Sequence, residues 1–332
     1  MAEAMKSTRM KRNRVSSCKE RWQMMKFGIH NPSFNFPDGK AYIFDDLKKK
    51  AHWAETHGFA WFDIMDHMIQ IAPGVGTADD PFMEGWTTLA ALAAVTEKIR
   101  LGTLVTSVSY RNPALLAKMG ATVDNISHGR LTLSIGAGWY EDEYHQYGWD
   151  FPPASTRIHQ MEEAVQVIKA MWTQPRANFS GQYFQVRDAI LEPKPIQKPH
   201  PPILIGGSGE QLTLRVVARH ADACNLFGNP QEVAHKLDVL RHHCDTEKRD
   251  FNEIERTCLS TFLLARDEAA LKEKSERLGI PGTSRGFALT TAQAVDLLTE
   301  YEKAGIQMIV CSIYKNDEET QELLAELIPH FG

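Results

Sequence analysis

Arg130-Leu-Thr-Leu-Ser-Ile-Gly-Ala-Gly-Trp-Tyr-Glu-Asp-Glu-Tyr144 changes character in its middle. Leu131, Leu133 and Ile135 are the apolar residues a buried strand needs, while Gly136 and Gly138 leave the end of that strand bare of side chains. Another group can approach the backbone closely there. An indole, a phenol and three carboxylates follow at once (Trp139, Tyr140, Glu141, Asp142, Glu143), the make-up of a loop that carries chemistry at a strand's carboxyl end. Taken alone, the stretch is equally a glycine-rich turn with a solvated acidic face. The rest of the chain decides between the two.

From Met25 onward a short apolar run, a polar loop and a segment with helical spacing recur. The apolar runs are 27–29, 61–65, 99–106, 131–135, 203–205, 221–227, 258–265 and 308–313, and helix candidates cover 44–57, 86–97, 113–127, 155–172, 210–220, 230–244, 292–304 and 318–330. Within 155–172, Ile158, Met161, Val165, Ile168 and Trp172 recur at three and four residues and mark one buried face. Eight such alternations predict a (β/α)8 TIM barrel, with a doubly wound sheet as the competing arrangement. Six prolines and a strand-like Tyr183–Val186 between about residues 174 and 202 predict an inserted hairpin and arm, serving as a lid or a dimer contact, and no second domain.

Composition sets the outer bounds. With 332 residues, 43% of them apolar and 24% charged, the chain can bury a large core, and no apolar run is long enough to span a membrane. Five cysteines without a CxxC pair, three of them (Cys224, Cys258, Cys311) inside strand-like runs, read as reduced buried thiols and predict a cytoplasmic location. The net charge of −5 hides a basic start: eight Lys and Arg against two Glu in residues 1–26 leave −11 for the remainder. Residues 1–24 therefore read as a disordered basic extension, or as a start placed ahead of a natural one near Met24 or Met25. The domain proper is 25–332. The extension has no apolar core of a secretory signal, and no nucleic-acid partner is expected.

In a parallel barrel the strands' carboxyl ends share one rim. Two features stand out among them. Gly206-Gly207-Ser208-Gly209 lies between a strand and a helix expected to open at Glu210, so successive amides and the helix dipole favour a phosphate. The run is neither a Walker A loop nor a Rossmann fingerprint, and a plain turn competes with it. Asp66-His67 closes the second strand, and a histidine beside a carboxylate moves protons near neutral pH. Asp63 alternates away from Asp66, so no metal site is expected from these residues.

Several blocks, in order, resemble the luciferase-like monooxygenase superfamily and, within it, the branch that uses the deazaflavin coenzyme F420: Phe62-Asp-Ile-Met-Asp-His67, Leu101-Gly-Thr-Leu-Val-Thr106 with Arg111-Asn-Pro113, Gly129-Arg-Leu with Gly-Ala-Gly-Trp139, and Pro202-Ile-Leu-Ile-Gly-Gly207 with Ala221-Asp222. The resemblance runs from about Met25 to the C-terminus. It implies a barrel with an insertion, a cis peptide at Leu104–Val105 behind the ring, and Asp66 and His67 beside it. It places Thr106, Gly138 and Glu143 at the ring pocket, Gly206, Gly207 and Ser208 at the phosphate, and Gly136, Ala137 and Asn225 among the cofactor contacts. His67 or Glu143 would exchange the proton, with Asp66 beside them, as hydride passes between F420 and a small organic substrate in a homodimer. Reduced FMN with oxygen is the alternative, and a flavin-binding barrel without turnover the second. In F420-dependent sugar-phosphate dehydrogenases a Glu follows the glycine pair; Trp139 follows it here, so glucose 6-phosphate is not an expected substrate.

Overall fold

The computed structural model describes residues 25–36, 39–72, 75–280 and 287–331. The expected basic extension, 1–24, lies outside the described residues, as does Cys18. The strands are β1 (Lys26–Asn31), β2 (Trp61–Ile64), β3 (Arg100–Thr103), β4 (Thr106–Ser107), β5 (Leu131–Gly136), β6 (Ala177–Ser180), β7 (Gln185–Ala189), β8 (Ile203–Gly206), β9 (Ala223–Leu226), β10 (Glu255–Ala265), β11 (Ala288–Thr290) and β12 (Met308–Ile313). Parallel pairing runs β1, β2, β3, β5, β8, β9, β10, β12 and returns from β12 to β1. Eight strands thus close a (β/α)8 barrel, which excludes the doubly wound sheet.

Alternation of side chains separates two cores. Phe27, Ile29, Phe62, Ile64, Leu101, Leu133, Ile135, Ile203 and Ile205 face the surrounding helices. Trp61, Leu104, Leu204, Ala223, Met308 and Val310 fill the barrel itself. Each such aliphatic side chain, once buried, contributes about 1.5–3 kcal/mol. Inward positions are small where Trp61 needs room: a Cβ on Gly102 would lie 3.1 Å from its ring carbon Cζ2. At the amino-terminal end of the barrel Glu255 takes Lys26 at 2.9 Å and Arg100 at 3.2 Å.

The insertion forms the expected hairpin, β6 antiparallel to β7. It is tied to the helix Ala154–Thr173, where the Glu163 carboxylate accepts from the amides of Gln182, Tyr183 and Phe184 at 2.7, 2.8 and 3.0 Å. The expected stripe on that helix is buried at Met161, Val165, Ile168 and Trp172 and half-buried at Ile158. Cys224, Cys244, Cys258 and Cys311 are free and buried, and burial pushes the Cys224 and Cys258 thiols up to about 12.

Local departures have physical causes. The run 99–106 is two short strands, interrupted at Leu104–Val105, whose peptide bond is cis as the family resemblance implied. The helix expected from Glu210 begins at Thr213, after a turn that uses Gly209. The acidic run after Gly138 is a six-residue helix, Glu141–Gln146, and Glu268–Arg277 is a helix that periodicity did not find. Only Leu271 and Lys274 of the latter are buried, so no apolar stripe advertises it.

Candidate active site

The three adjacent carboxylates part company once the chain coils. Glu141 and Asp142 are exposed, whereas Glu143 is fully buried and turned toward the end of β2. Its Oε2 lies 2.9 Å from His67 Nδ1 and also accepts from the Tyr110 hydroxyl. Its Oε1 accepts from the Met68 amide and, at 3.3 Å, from the Ile69 amide. Burial raises the Glu143 carboxyl, but the bonds from His67, Tyr110 and Met68 outweigh it and hold the group below the usual carboxylate range. An ionised Glu143 only accepts, so His67 carries its hydrogen on Nδ1, which leaves Nε2 as its acceptor nitrogen. Tyr110 is pushed far up by burial and by Glu143, so its phenol stays protonated. Trp139 and Tyr140 flank the imidazole, with ring centroids 6.2 and 6.1 Å away. Tyr140 is buried, but Trp139 is 61% exposed.

Asp66 is fully buried and belongs to a second network. Arg111 donates to its Oδ2 at 2.6 Å and its Oδ1 at 3.0 Å, and also to Glu84. Glu84 caps the helix Gly85–Val95 through the amides of Trp86 (3.2 Å) and Thr87 (2.6 Å). Gly85 has no side chain because a Cβ there would sit 2.7 Å from Asp66 Oδ1. Burial raises Asp66, with the Arg111 charge opposing it. Thr106, expected beside a ring, turns to the helix layer instead: it is fully buried, and its hydroxyl takes Trp86 Nε1 at 2.9 Å and Thr103 at 3.0 Å.

The glycines divide by role. Val105 stands over the barrel interior between Gly136 and Gly206, and a Cβ on either would approach its methyl groups to 2.7 Å. Gly138, at φ +77°, leaves space that the Tyr144 hydroxyl and Ser107 Oγ fill; a Cβ there would collide with both. Arg157 secures this loop by donating to the carbonyls of Ala137 (3.1 Å) and Gly138 (3.3 Å). In the GGSG turn, Gly207 adopts φ +127° and spends its amide on the Asn225 carbonyl at 3.2 Å. Among the described residues, no backbone carbonyl accepts from the amides of Ser208, Gly209 or Glu210. A phosphate would therefore meet free backbone donors from Ser208 onward, the last of the three residues the resemblance implied.

Inside the mouth, Asn225 is fully buried; its Oδ1 accepts from Thr257 at 2.9 Å while its Nδ2 has no partner among the described residues. Ser134 Oγ and Asp63 Oδ2 are likewise buried and unpartnered there. Alternation places all three inward, with Trp61, Leu204 and Ala223 of the barrel interior. Unpaired buried groups are uncommon, and a donor, a hydroxyl and an acceptor around an apolar Val105 floor fit a planar heteroaromatic ring with polar edges. Among the described residues no group of three or more His, Cys, Asp or Glu could hold a metal ion, and no helix is long and apolar enough to cross a membrane.

The carboxylate-held histidine, the free amides and the polar-edged floor gather at the carboxyl end of a parallel barrel, the end where such barrels place their active sites. Residues 25–328 match the luciferase-like monooxygenase family, and the chain belongs to it. It is 37% identical over 184 residues to an uncharacterized protein of Mycobacterium tuberculosis, a match covering 52% of this chain and 64% of the relative. It is 34% identical over 198 residues to an FMNH2-dependent dimethylsulfone monooxygenase of Pseudomonas putida, covering 59% of this chain and 53% of that one. These alignments span under two thirds of either relative. An F420-dependent secondary alcohol dehydrogenase, solved with an F420–acetone adduct, superposes with TM-score 0.79 over 93% of this chain and 99% of its own at 18% identity, a likeness of fold.

Tyr110 was not singled out from sequence, and Arg111 was quoted only within the Arg111-Asn-Pro113 block, with no role assigned to it. The only signal was their position at the end of the third apolar run, beside Asn112-Pro113, a helix start.

Proposed function

We propose that this protein is an F420-dependent oxidoreductase that passes a hydride between the deazaflavin and a small organic substrate at the carboxyl mouth of the barrel. The observation that carries the reading is the His67–Glu143 pair, 2.9 Å apart and buried at the strand ends. When bound, a deazaflavin supplies two electrons as hydride. The chain's own residues do the rest. Val105 gives the ring an apolar seat, and Asn225 Nδ2 and Ser134 Oγ offer polar partners at its edge. The amides of Ser208 and Gly209 receive the phosphate. His67 Nε2 gives or takes the substrate's proton, and Glu143, with both oxygens engaged, orients the imidazole and balances its charge. Asp66 acts through Arg111 to fix the strand end from which His67 projects.

A second reading, reduced FMN with oxygen, is favoured by the 34% identity to an FMNH2-dependent monooxygenase. The same seat and the same amides serve either carrier. Binding of F420 and FMN, oxidised and reduced, measured side by side by fluorescence decides. Tighter F420 binding with oxygen-independent turnover is expected, and tighter FMN binding with oxygen consumption overturns the F420 reading.

A further inference from the structure

We propose that His30 and Asp63 form a second proton-handling pair in the floor of this mouth, distinct from His67 and Glu143, which takes up the proton set free when hydride leaves for the substrate. The inference rests on the reading that a reduced flavin-type carrier binds here.

The pair is assembled by strand register. His30 on β1 stands level with Asp63 on β2 and with Ser312 on β12. Two residues below, Gly28 and Trp61 face the barrel interior, so His30 and Asp63 face it too. His30 Nδ1 lies 2.5 Å from Asp63 Oδ1, and both side chains are buried, at 3% and 0% exposure. Asp63 Oδ2 has no partner among the described residues. A cavity of about 440 Å³ is bounded in part by Ser33, Thr261 and Ser312; Ser312 is the register neighbour of His30, while His30 and Asp63 themselves do not line it. The charged groups around it are few. The helix Ile43–Thr56 contributes Lys50, whose Nζ donates to Asn31 Oδ1 at 2.9 Å and Asn316 Oδ1 at 2.7 Å; β12 and β10 bring the uncharged Ser312 and Thr261. Burial lowers Lys50 to about 7, with Asp63 opposing, and burial raises Asp63 against the pull of His30 and Lys50.

Two protons travel in opposite senses in the proposed reaction. A carbonyl or activated double bond that receives hydride also needs one proton, supplied by His67. A neutral reduced carrier that gives up hydride must also release one proton from a ring nitrogen, which His30 accepts while Asp63 stabilises the imidazolium. The substrate gains a hydride and a proton, the carrier loses a hydride and a proton, and the two histidines are reset by exchange with solvent. With its Nδ1 held by Glu143, the single free nitrogen of His67 cannot serve both transfers in one step.

The test compares full-length wild type with His30→Gln and Asp63→Asn. Proton exchange on binding reduced F420 (or FMN, if that binds tighter) is measured by calorimetry in two buffers of different ionisation enthalpy, and kcat/KM is followed over about pH 5 to 8, where histidine titrates. Wild type is expected to exchange protons on binding, and His67→Gln to retain that exchange. His30→Gln should abolish it, lose one limb of the pH profile and lower kcat/KM roughly 100-fold. A folded His30→Gln protein that binds the carrier with wild-type proton exchange and an unchanged pH profile overturns the proposal and leaves the oxidoreductase reading standing. If wild type binds neither carrier, both fall. Should the His30 and Asp63 variants fail to fold by circular dichroism, the His67→Gln calorimetry decides: loss of all proton exchange overturns the second pair, and its persistence supports it.

Discussion

The two halves of the barrel mouth are built on opposite principles. On the β2–β3 side the groups that hold His67 and Asp66 are saturated: Glu143 accepts four hydrogen bonds and Arg111 spans two carboxylates. On the β5–β9 side Ser134 Oγ and Asn225 Nδ2 are buried with no partner among the described residues, and the GGSG turn keeps amides from Ser208 onward out of the backbone network. A saturated network holds a side chain in one rotamer and one tautomer, which a proton donor needs. Unpaired donors make no such contribution to folding; their energy is realised on a ligand. Under the proposed function, the contrast separates residues that would fix chemistry from residues that would bind.

The contrast can be broken at its strongest point. Arg111→Ala strips the buried Asp66 of its counter-charge, and denaturant unfolding should show a loss of about 3–5 kcal/mol. An unchanged midpoint would mean that the saturated side is not the rigid one. Glu143→Gln keeps the shape but removes the charge, and kcat/KM should fall roughly 100-fold as His67 loses its fixed tautomer. The same variant has a signature in acid. Because Glu143 is held below its ordinary 4.5, its contribution to stability is complete above that value and is lost as pH falls through the lower, folded one. Thermal melts of wild type should therefore drop through that acid window more steeply than those of Glu143→Gln. Gly206→Ala places a Cβ 2.7 Å from a Val105 methyl group; about 1–3 kcal/mol of stability should be lost, along with carrier affinity, and Val105→Ala in the same chain should restore both. Smallest is Asn225→Ala on the ligand side. Carrier affinity should weaken by about 1 kcal/mol with little change in the melt, and a larger effect on folding than on binding would erase the distinction between the halves.

Legibility followed the same division. The eight strands and most helices announced themselves because burial on two faces demands apolar runs and a period near 3.6. The helix Glu268–Arg277 stayed hidden because it buries only one apolar residue and a lysine, Lys274, held by Asp317 and Glu319 at 2.7 Å. His67 and Glu143 were both named from sequence, but as rival proton carriers; seventy-six positions apart, only folding reveals one as the other's holder. Thr106 was placed at the ring pocket by the family resemblance, and in the fold its hydroxyl accepts from Trp86 Nε1. Gly206 and Gly207 were expected to bind phosphate through their amides, yet one is small for Val105 and the other spends its amide on Asn225.

The sequence by itself determined the barrel and the rim where side chains of interest gather, since hydrophobic period and glycine position are properties of neighbours along the chain. Which of those side chains are saturated, which remain free, and that His30 meets Asp63 beneath them, only the tertiary structure decided. Hydrogen-bond partnership and burial depend on residues far apart in the chain, brought together by strand register and barrel closure.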